Sequence, residues 1–250
     1  MKLEELVNIL DDYLDIGRFQ DEMLNGLQLG DMEDDIVNIS LAVRLTDNVI
    51  GDAKKNKADL LITHHGLLQV DEVKPIVGDT YKLLKLLIKS DLNLYTCHLP
   101  LDAHYEIGNN IALARLIELE DVQPFGFYKG GPLGFRGRFK KEVSLDNLVK
   151  KLDKSLNTKS QLIQAEKKDM VKTAAVISGR GAFALAEAIE YDVDLLITGE
   201  PSQGVYHPIQ QGGVSMIFAG HYQTECLGVQ SLCNKLRDDF GLNCVFIDIE

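Results

Sequence analysis

The chain has 250 residues, of which 45% are hydrophobic and 26% are charged, and this balance predicts a folded globular protein and excludes a disordered one. Its formal net charge of −12 at pH 7 disfavours nonspecific nucleic-acid binding, although a local basic face stays open. No run approaches the roughly 20 apolar residues that a membrane helix needs, so we expect no membrane partner.

In the first half of the chain, the spacing of apolar residues alternates between helical and strand periods. The pattern predicts helices over residues 3–14, 49–57, 81–89 and 111–119 and strands over residues 36–45, 60–62 and 92–96. Asn109 and Asn110 are predicted to cap the last of these helices. A rhythm of strand, helix and strand is typical of an α/β domain with a parallel sheet.

The second half repeats this rhythm after a glycine-rich stretch at residues 125–143. Within that stretch, apolar and basic residues alternate as in a strand of an edge or of a second sheet. We place a domain boundary here, which gives a first domain over residues 1–125 and a second over residues 126–250. The later pattern predicts helices over residues 145–156 and 182–190 and strands over residues 174–177, 195–197 and 216–218.

The pentapeptide Asp-Leu-Leu-Ile-Thr occurs twice, at residues 59–63 and again at residues 194–198. Each copy ends a predicted strand, so the repeat indicates an internal duplication, although a five-residue identity also arises by chance. We therefore predict an α/β fold with two related, interlinked α/β domains and a metal cleft between them, because ligands of such sheets gather outside the carboxyl ends of the strands.

Metal-ligand residues follow the predicted strands of both halves. Two adjacent histidines come after the first pentapeptide, and two later strands are each followed by a histidine with a carboxylate four residues beyond it. Imidazole and carboxylate suit zinc, iron or manganese, and the sequence therefore predicts two divalent metal ions per chain. The predicted ligands are His64, His65, Asp102, His221 and Glu225. The alternatives are a histidine pair that caps a turn and a His221–Glu225 contact on a helix surface.

Four further features are candidates for supporting roles. Glu200 follows the second pentapeptide and is predicted to act as a general base or as a hydrogen-bond acceptor behind a ligand, with helix capping as the alternative. His98 and, more weakly, His104 are predicted to orient a bound water or to donate to Asp102, and His98, like Glu200, is a candidate for acid/base catalysis. The loop of residues 178–181 can hold an anion at a helix start, but without a third glycine or a Walker lysine a plain tight turn is favoured.

The spacing of the cysteines and the character of the first ten residues indicate the cellular compartment. No paired Cys-x-x-Cys spacing is present, which favours buried or idle thiols in a reducing compartment; the four cysteines are Cys97, Cys226, Cys233 and Cys244. The first ten residues are amphipathic and acidic, unlike the charged and apolar regions of a signal peptide. We therefore expect a cytoplasmic protein.

Several short motifs, in order from about residue 25 onward, carry a family resemblance. They are Asn25-Gly26-Leu27-Gln28, Thr63-His64-His65, His98-Leu99-Pro100-Leu101-Asp102-Ala103-His104, Gly108-Asn109-Asn110, Ile197-Thr198-Gly199-Glu200 and Gly220-His221 to Thr224-Glu225. With them the chain resembles the Nif-three-like family, also called GTP cyclohydrolase I type 2 homologues. The resemblance implies a two-domain α/β protein with a dinuclear metal centre held by the same five ligands, and a ring-shaped homohexamer.

The resemblance also suggests a reaction. It implies a metal-dependent hydrolase of a small nucleotide-like substrate, either a GTP cyclohydrolase that opens the purine ring at C8 or a phosphoesterase. The alternative is a metal-stabilised oligomeric scaffold or regulator that binds protein or single-stranded nucleic acid. A nucleic-acid scaffold should gather basic residues on one accessible face, and the candidates are Arg136, Arg138, Lys140 and Lys141.

Overall fold

A computed structural model describes residues 1–70, 75–166 and 168–250, and this part of the chain is a mixed α/β protein with two sheets. The helices are α1 (Leu3–Leu14), α2 (Asp47–Lys55), α3 (Gly78–Lys89), α4 (Leu99–Ala103), α5 (Asn109–Leu116), α6 (Leu145–Leu156), α7 (Leu185–Glu190), α8 (Tyr206–Gly212) and α9 (His221–Phe240). The strands are β1 (Gly26–Leu29), β2 (Asn38–Arg44), β3 (Leu60–His65), β4 (Asn93–Thr96), β5 (Glu120–Tyr128), β6 (Gly131–Ser144), β7 (Gln161–Ile163), β8 (Met170–Ile177), β9 (Leu195–Thr198), β10 (Ser215–Phe218) and β11 (Asn243–Phe246). No helix of the described residues is long and apolar enough to cross a bilayer.

The chain forms two compact units, and unit 1 comprises Met1–Leu101 and Val229–Glu250. Its sheet has the strand order β1-β4-β3-β2-β11, in which β4, β3, β2 and β11 are parallel and β1 runs antiparallel at one edge. Strand β3 begins with Leu60, Leu61 and Ile62, which are all buried, as expected for a central strand of a parallel sheet. The apolar faces of α2 and α3 share one core cluster with β2, β3 and β4.

Unit 2 comprises Asp102–Gly228 and contains the second sheet, in the order β5-β6-β8-β9-β10-β7. Strands β8, β9 and β10 are parallel, and β5 and β6 form a long antiparallel hairpin beside them. The core of this unit joins α5 and α6 to the sheet, because Leu113 and Leu152 are fully buried against residues such as Val176 and Ile197. The glycine-rich stretch is thus the hairpin that extends the second sheet.

The repeated pentapeptide has the same structural role in both units. In unit 1 its strand residues pair in parallel with β4, from Leu60 to Asn93 onward, and in unit 2 they pair with β10, from Leu195 to Ser215 onward. The first residue of each copy anchors the start of a neighbouring strand. Asp59 Oδ2 accepts the backbone N–H groups of residues 37 and 38 at 2.9 and 2.8 Å, and Asp194 Oδ2 accepts those of residues 172 and 173 at 2.7 and 2.9 Å. The two units are therefore related α/β folds.

Most predicted elements are present, and two helices have the predicted bounds, α1 at Leu3–Leu14 and α6 at Leu145–Leu156. The predicted capping role of Asn109 and Asn110 is wrong. Both residues lie inside α5, whose N-cap is Gly108, and their side chains bond to other segments. A buried asparagine that finds a distant partner is not available to cap its own helix.

The compact units divide the chain differently from the predicted domains, 1–125 and 126–250. The C-terminal segment belongs to unit 1 because β11 pairs in parallel with β2, from Asn243 beside Asn38 to Phe246 beside Leu41. Residues 102–125 belong to unit 2, where α5 contributes buried residues to the core.

Asp194 gives a test of the strand anchor. Burial by itself raises the pKa of this carboxyl, but the ion pair with Lys168 and the backbone N–H groups of Lys172 and Thr173 outweigh burial and hold the pKa below its ordinary value of 3.8. A depressed folded-state pKa gives stability that is present above the unfolded-state pKa and is lost as the pH falls through the folded-state value. We expect Asp194→Asn to lower the free energy of unfolding by about 2 kcal/mol at neutral pH and by less in strong acid.

Urea denaturation of both proteins at neutral and acidic pH measures this difference. The exposed Asp146, in the first turn of α6, gives the control variant Asp146→Asn. An equal loss for Asp194→Asn at both pH values would contradict the carboxylate as the source of the stability.

Candidate metal centre

Three histidines of unit 1 come together at the carboxyl ends of two adjacent strands. His64 and His65 end β3, and His98 lies two residues beyond β4, which is parallel to β3. The ring centroids are 4.7 Å apart for His64 and His65, 4.9 Å for His64 and His98, and 5.1 Å for His65 and His98. One ring nitrogen of each histidine lies within 4.8 Å of those of the other two, which is close enough to bind a cation together.

Hydrogen bonds define the tautomers of two of these rings. Nδ1 of the buried His64 lies 2.9 Å from the carbonyl oxygen of Cys97, so Nδ1 is the protonated nitrogen and donates. Nδ1 of His98 lies 2.9 Å from Oδ1 of Asp21, which likewise makes Nδ1 the donor. In the neutral rings the lone pair is then on Nε2, which is the form that a metal binds. The donor set of unit 1 thus fits a divalent ion.

Asp21 is a functional residue that sequence reasoning missed. Its side chain is 2% exposed, and it accepts the amide N–H of Asn25 and the backbone N–H of Leu99 as well as the bond from His98. Burial raises the pKa of Asp21, but these hydrogen bonds outweigh it and hold the pKa below its ordinary range. An ionised carboxylate behind His98 fixes the orientation of the ring and keeps its proton on Nδ1. Asp21 lies in a loop with no periodic pattern, and its nearest sequence signal is the adjacent Asn25 motif.

The turn after the two adjacent histidines is held by Gln28. Its Oε1 accepts the backbone N–H groups of Leu67 and Leu68 at 2.7 and 3.0 Å. A Cβ on Gly66 would collide with Thr96 Oγ1 and with the Gln28 amide, so this turn requires glycine. The last residue of the Asn25-to-Gln28 motif therefore fixes the turn that follows the histidines.

In unit 2, Asp102 is a buried carboxylate with two side-chain donors. It lies in α4 and is 5% exposed. Its Oδ1 accepts the Nδ2–H of Asn109 and the Oγ–H of Ser178, each at 2.8 Å. Asn109 is itself fixed, because its Oδ1 accepts the backbone N–H of Gly228 at 2.6 Å. Asp102 is thus held in one orientation by a polar network.

The other predicted ligands of unit 2 lie at the start of α9, directly after β10. His221 and Glu225 are one helical turn apart, with Nε2 of His221 3.0 Å from Oε1 of Glu225. Nδ1 of the same ring lies 2.9 Å from Oε2 of Glu200, so His221 stands between two carboxylates. The bond to Glu225 raises the pKa of His221 against the opposing effect of burial, and Glu200 raises it further. A divalent cation can replace the proton between His221 and Glu225, so these donors also fit a metal.

Glu200 is the acceptor behind His221. It follows β9 and also forms an ion pair with Arg180, whose Nε lies 2.6 Å from Oε1 of Glu200. Burial raises the pKa of Glu200, but the bonds to His221 and Arg180 outweigh it and lower the pKa. This ionised carboxylate fixes the His221 ring as Asp21 fixes His98, and the hydrogen bonds favour the acceptor role over a cap of the next segment.

His104 has a different environment from the histidines above. It is 7% exposed, and its Nδ1 lies 3.2 and 3.3 Å from the backbone nitrogens of Glu106 and Ile107, so Nδ1 accepts their protons. These bonds stabilise the turn after α4. The predicted supporting role of His104 stays a prediction.

Comparison with known proteins gives a consistent match over the full length. The family model described as Duf34/NIF3 (NGG1p interacting factor 3) matches residues 1–250. A protein of Archaeoglobus fulgidus named GTP cyclohydrolase 1 type 2 homolog is 39% identical over 249 residues, with 100% of this chain and 98% of the relative covered. The relative of the same name from Pyrococcus abyssi is 41% identical over 248 residues, with 99% and 98% covered.

Solved structures agree with this match. A protein from Thermus thermophilus superposes with a TM-score of 0.91 at 36% identity, with 100% of this chain and 99% of that protein covered. Reduced HcgD from Methanocaldococcus jannaschii superposes with a TM-score of 0.86 at 28% identity, with 100% and 98% covered.

The carboxylate behind His98 generates a prediction about the tautomer of its ring. Asp21→Asn keeps the size of the side chain but removes the charge that holds the proton on Nδ1, so we expect the ring to lose its preference for the Nδ1–H tautomer. ¹⁵N NMR of the metal-free protein reports the His98 tautomer. The control is Asp11→Asn, which alters a carboxylate of the same unit that accepts the hydroxyl of Tyr95. An Nδ1–H tautomer of His98 that both variants keep would contradict the role of Asp21.

Proposed function

Because the chain belongs to the Duf34/NIF3 family, we propose that it is a metal-dependent hydrolase of a nucleotide-like substrate. The observation that carries the proposal is a proposed ligand histidine in each unit whose Nδ1 is held by a hydrogen bond, His64 by the carbonyl of Cys97 and His221 by Glu200. This arrangement is a common feature of metal-binding histidines. Such rings are oriented before any ion arrives, which suits a metal centre better than a turn cap or a surface contact.

The proposed cofactor is a pair of divalent ions. We assign its ligands as His64, His65, Asp102, His221 and Glu225, a mixed set of imidazoles and carboxylates that suits zinc, iron or manganese. Divalent ions in such a set polarise a substrate oxygen and lower the pKa of water toward neutrality.

The chain's own residues orient the ligands and hold protons. Glu200 is ionised at neutral pH and keeps the proton of His221 on Nδ1, which leaves Nε2 for ligand chemistry. Asp21 likewise keeps the proton of His98 on Nδ1, so Nε2 of His98 can accept a proton from water or donate one to a leaving group. Of the two candidate catalytic residues, His98 is thus assigned proton transfer and Glu200 the positioning of His221.

The substrate proposal rests on the names of the relatives. Relatives that match over their full length are named GTP cyclohydrolase 1 type 2 homolog, which makes GTP the first compound to test. Phosphoesters are the second class, because two ions activate water equally well for attack on phosphorus. The ring-shaped homohexamer is a further proposal from the family resemblance, and the cytoplasmic location is one from the spacing of the cysteines.

The alternative, a scaffold for single-stranded nucleic acid, has less support from the basic residues of β6. Arg138 forms an ion pair with Asp121, and the Arg136 guanidinium lies 4.2 Å from the centroid of the Tyr191 ring. The ion pair offsets the charge of Arg138, and the ring covers one face of the Arg136 guanidinium, so both side chains are less available to phosphates. The enzyme therefore remains the leading proposal.

Metal content tests the cofactor proposal. We expect about two divalent ions per chain in protein purified without chelator, as a dinuclear site requires. His65→Ala and Glu225→Ala should each reduce this content, because each removes a ligand atom. The control is His207→Ala, an exposed histidine of α8. Elemental analysis by inductively coupled plasma mass spectrometry gives the stoichiometry.

Hydrolysis of GTP and of a phosphodiester should follow the metal content across the same four proteins. Sub-stoichiometric metal that neither ligand substitution changes would overturn the proposed metal centre. Full metal content without hydrolysis of either compound would overturn the substrate assignment and favour a binding function.

A further inference from the structure

The proposed function assigns no role to the loop of residues 178–181. It connects β8 to the short 3₁₀ helix Gly181–Ala184. Two consecutive residues of the loop contact two different proposed ligands: Ser178 bonds to Asp102, and Gly179 packs against Glu225. We propose that Ser178 and Gly179 are positioning residues that set the geometry of these metal-binding carboxylates. The inference rests on the proposed metal-binding function.

Ser178 holds Asp102 through a buried hydroxyl. Ser178 is 6% exposed, and its Oγ–H donates to Oδ1 of Asp102 at 2.8 Å. The serine is in turn fixed by Asn110, whose Oδ1 accepts the Ser178 backbone N–H at 2.5 Å and whose Nδ2–H donates to the carbonyl of Leu133. Asn109 supplies the second donor to Asp102. The carboxylate is therefore aligned by two groups that are themselves anchored, Ser178 to the second sheet through Asn110 and Asn109 to Gly228 of α9.

Gly179 leaves the space that the Glu225 carboxylate occupies. A Cβ at this position would collide with Oε1 of Glu225 and would lie 3.4 Å from Nε2 of His221. The backbone φ of Gly179 is +57°, in the left-handed region. The loop cannot easily retreat, because the Gly179 N–H donates to Thr224 Oγ1 at 3.1 Å and its carbonyl accepts the N–H of Gly199 at 3.0 Å. A side chain at residue 179 would therefore displace the carboxylate.

The same hydrogen bonds argue against the loop as an anion cradle. The N–H groups of Ser178 and Gly179 are bonded to side chains of this unit, and the N–H of Gly181 donates to Thr198 Oγ1 at 2.8 Å. A phosphate cradle needs backbone N–H groups that point toward the ligand. The loop is thus a tight turn that supports metal ligands.

Ser178→Ala tests the first contact against a matched control. The control is Ser215→Ala, which also removes a buried hydroxyl bond of unit 2, since Ser215 Oγ accepts the N–H of Ala165 at 3.1 Å. We expect both variants to lose similar thermal stability in the presence of chelator. Only Ser178→Ala should weaken Mn²⁺ binding, by roughly 10–100-fold in the dissociation constant measured by calorimetry.

Gly179→Ala tests the second contact. Its control is Gly213→Ala. Gly213 has a φ of +69°, and no heavy atom lies within 4 Å of the position of an added Cβ. The control therefore introduces the same backbone strain without a collision. We expect Gly179→Ala to lower the Mn²⁺ stoichiometry and to change the EPR spectrum of bound Mn²⁺, with neither effect in Gly213→Ala. If Ser178→Ala does not fold, the comparison of Gly179→Ala with Gly213→Ala still tests the proposal.

The outcomes separate this inference from the proposed function. If the wild-type protein binds two Mn²⁺ ions and both Ser178→Ala and Gly179→Ala bind Mn²⁺ equally well, the positioning role is overturned and the proposed metal centre is not affected. An equal loss of Mn²⁺ binding in each variant and its control would also overturn the positioning role, since the cause would then be general destabilisation. Wild-type protein that binds no Mn²⁺ would overturn both proposals.

Discussion

The parallel hydrogen-bonded register of neighbouring strands is the constraint on which both groups of donor residues depend. In unit 1, Thr63 of β3 is paired with Thr96 of β4, so the histidines that follow these strands leave the sheet at the same edge. In unit 2, Thr198 of β9 is paired with Phe218 of β10, and Glu200 and His221 follow within three residues. A shift of one residue in either register would move the donors after one strand by about 3.3 Å along the strand direction relative to those after its neighbour.

Buried imidazoles and carboxylates are costly to remove from water, and the structure offsets that cost with hydrogen bonds before any metal is considered. His98 is bonded to Asp21 in unit 1, and His221 is bonded to Glu200 in unit 2. The two carboxylates come from unrelated places, a loop after α1 and the end of β9. The likeness of the two units therefore lies in the sheets, while the support for each histidine is particular to its unit.

The polar groups of unit 2 show how few residues are needed to orient a buried carboxylate. Asp102 is held by Asn109 and Ser178, and the next residue along the chain, Gly179, leaves the space for Glu225. Side-chain orientation of this kind limits how far a carboxylate can move when it meets a cation, which makes binding sensitive to small displacements. A serine and a glycine without chemistry of their own thus limit the positions of two carboxylates.

The sequence by itself determined the central strands of both sheets, several helices, the repeated pentapeptide and the donor residues at the strand ends, because periodicity and strand-end position are local properties of the chain. It did not predict the longest helix, α9. Only the tertiary structure decided the partners of those donors. Asp21 meets His98 across 77 residues, and Ser178 meets Asp102 across 76. The C-terminal strand likewise joins the first sheet through pairing with β2. Such contacts leave no periodic pattern, because a hydrogen bond between distant segments is fixed by the packing of the intervening elements.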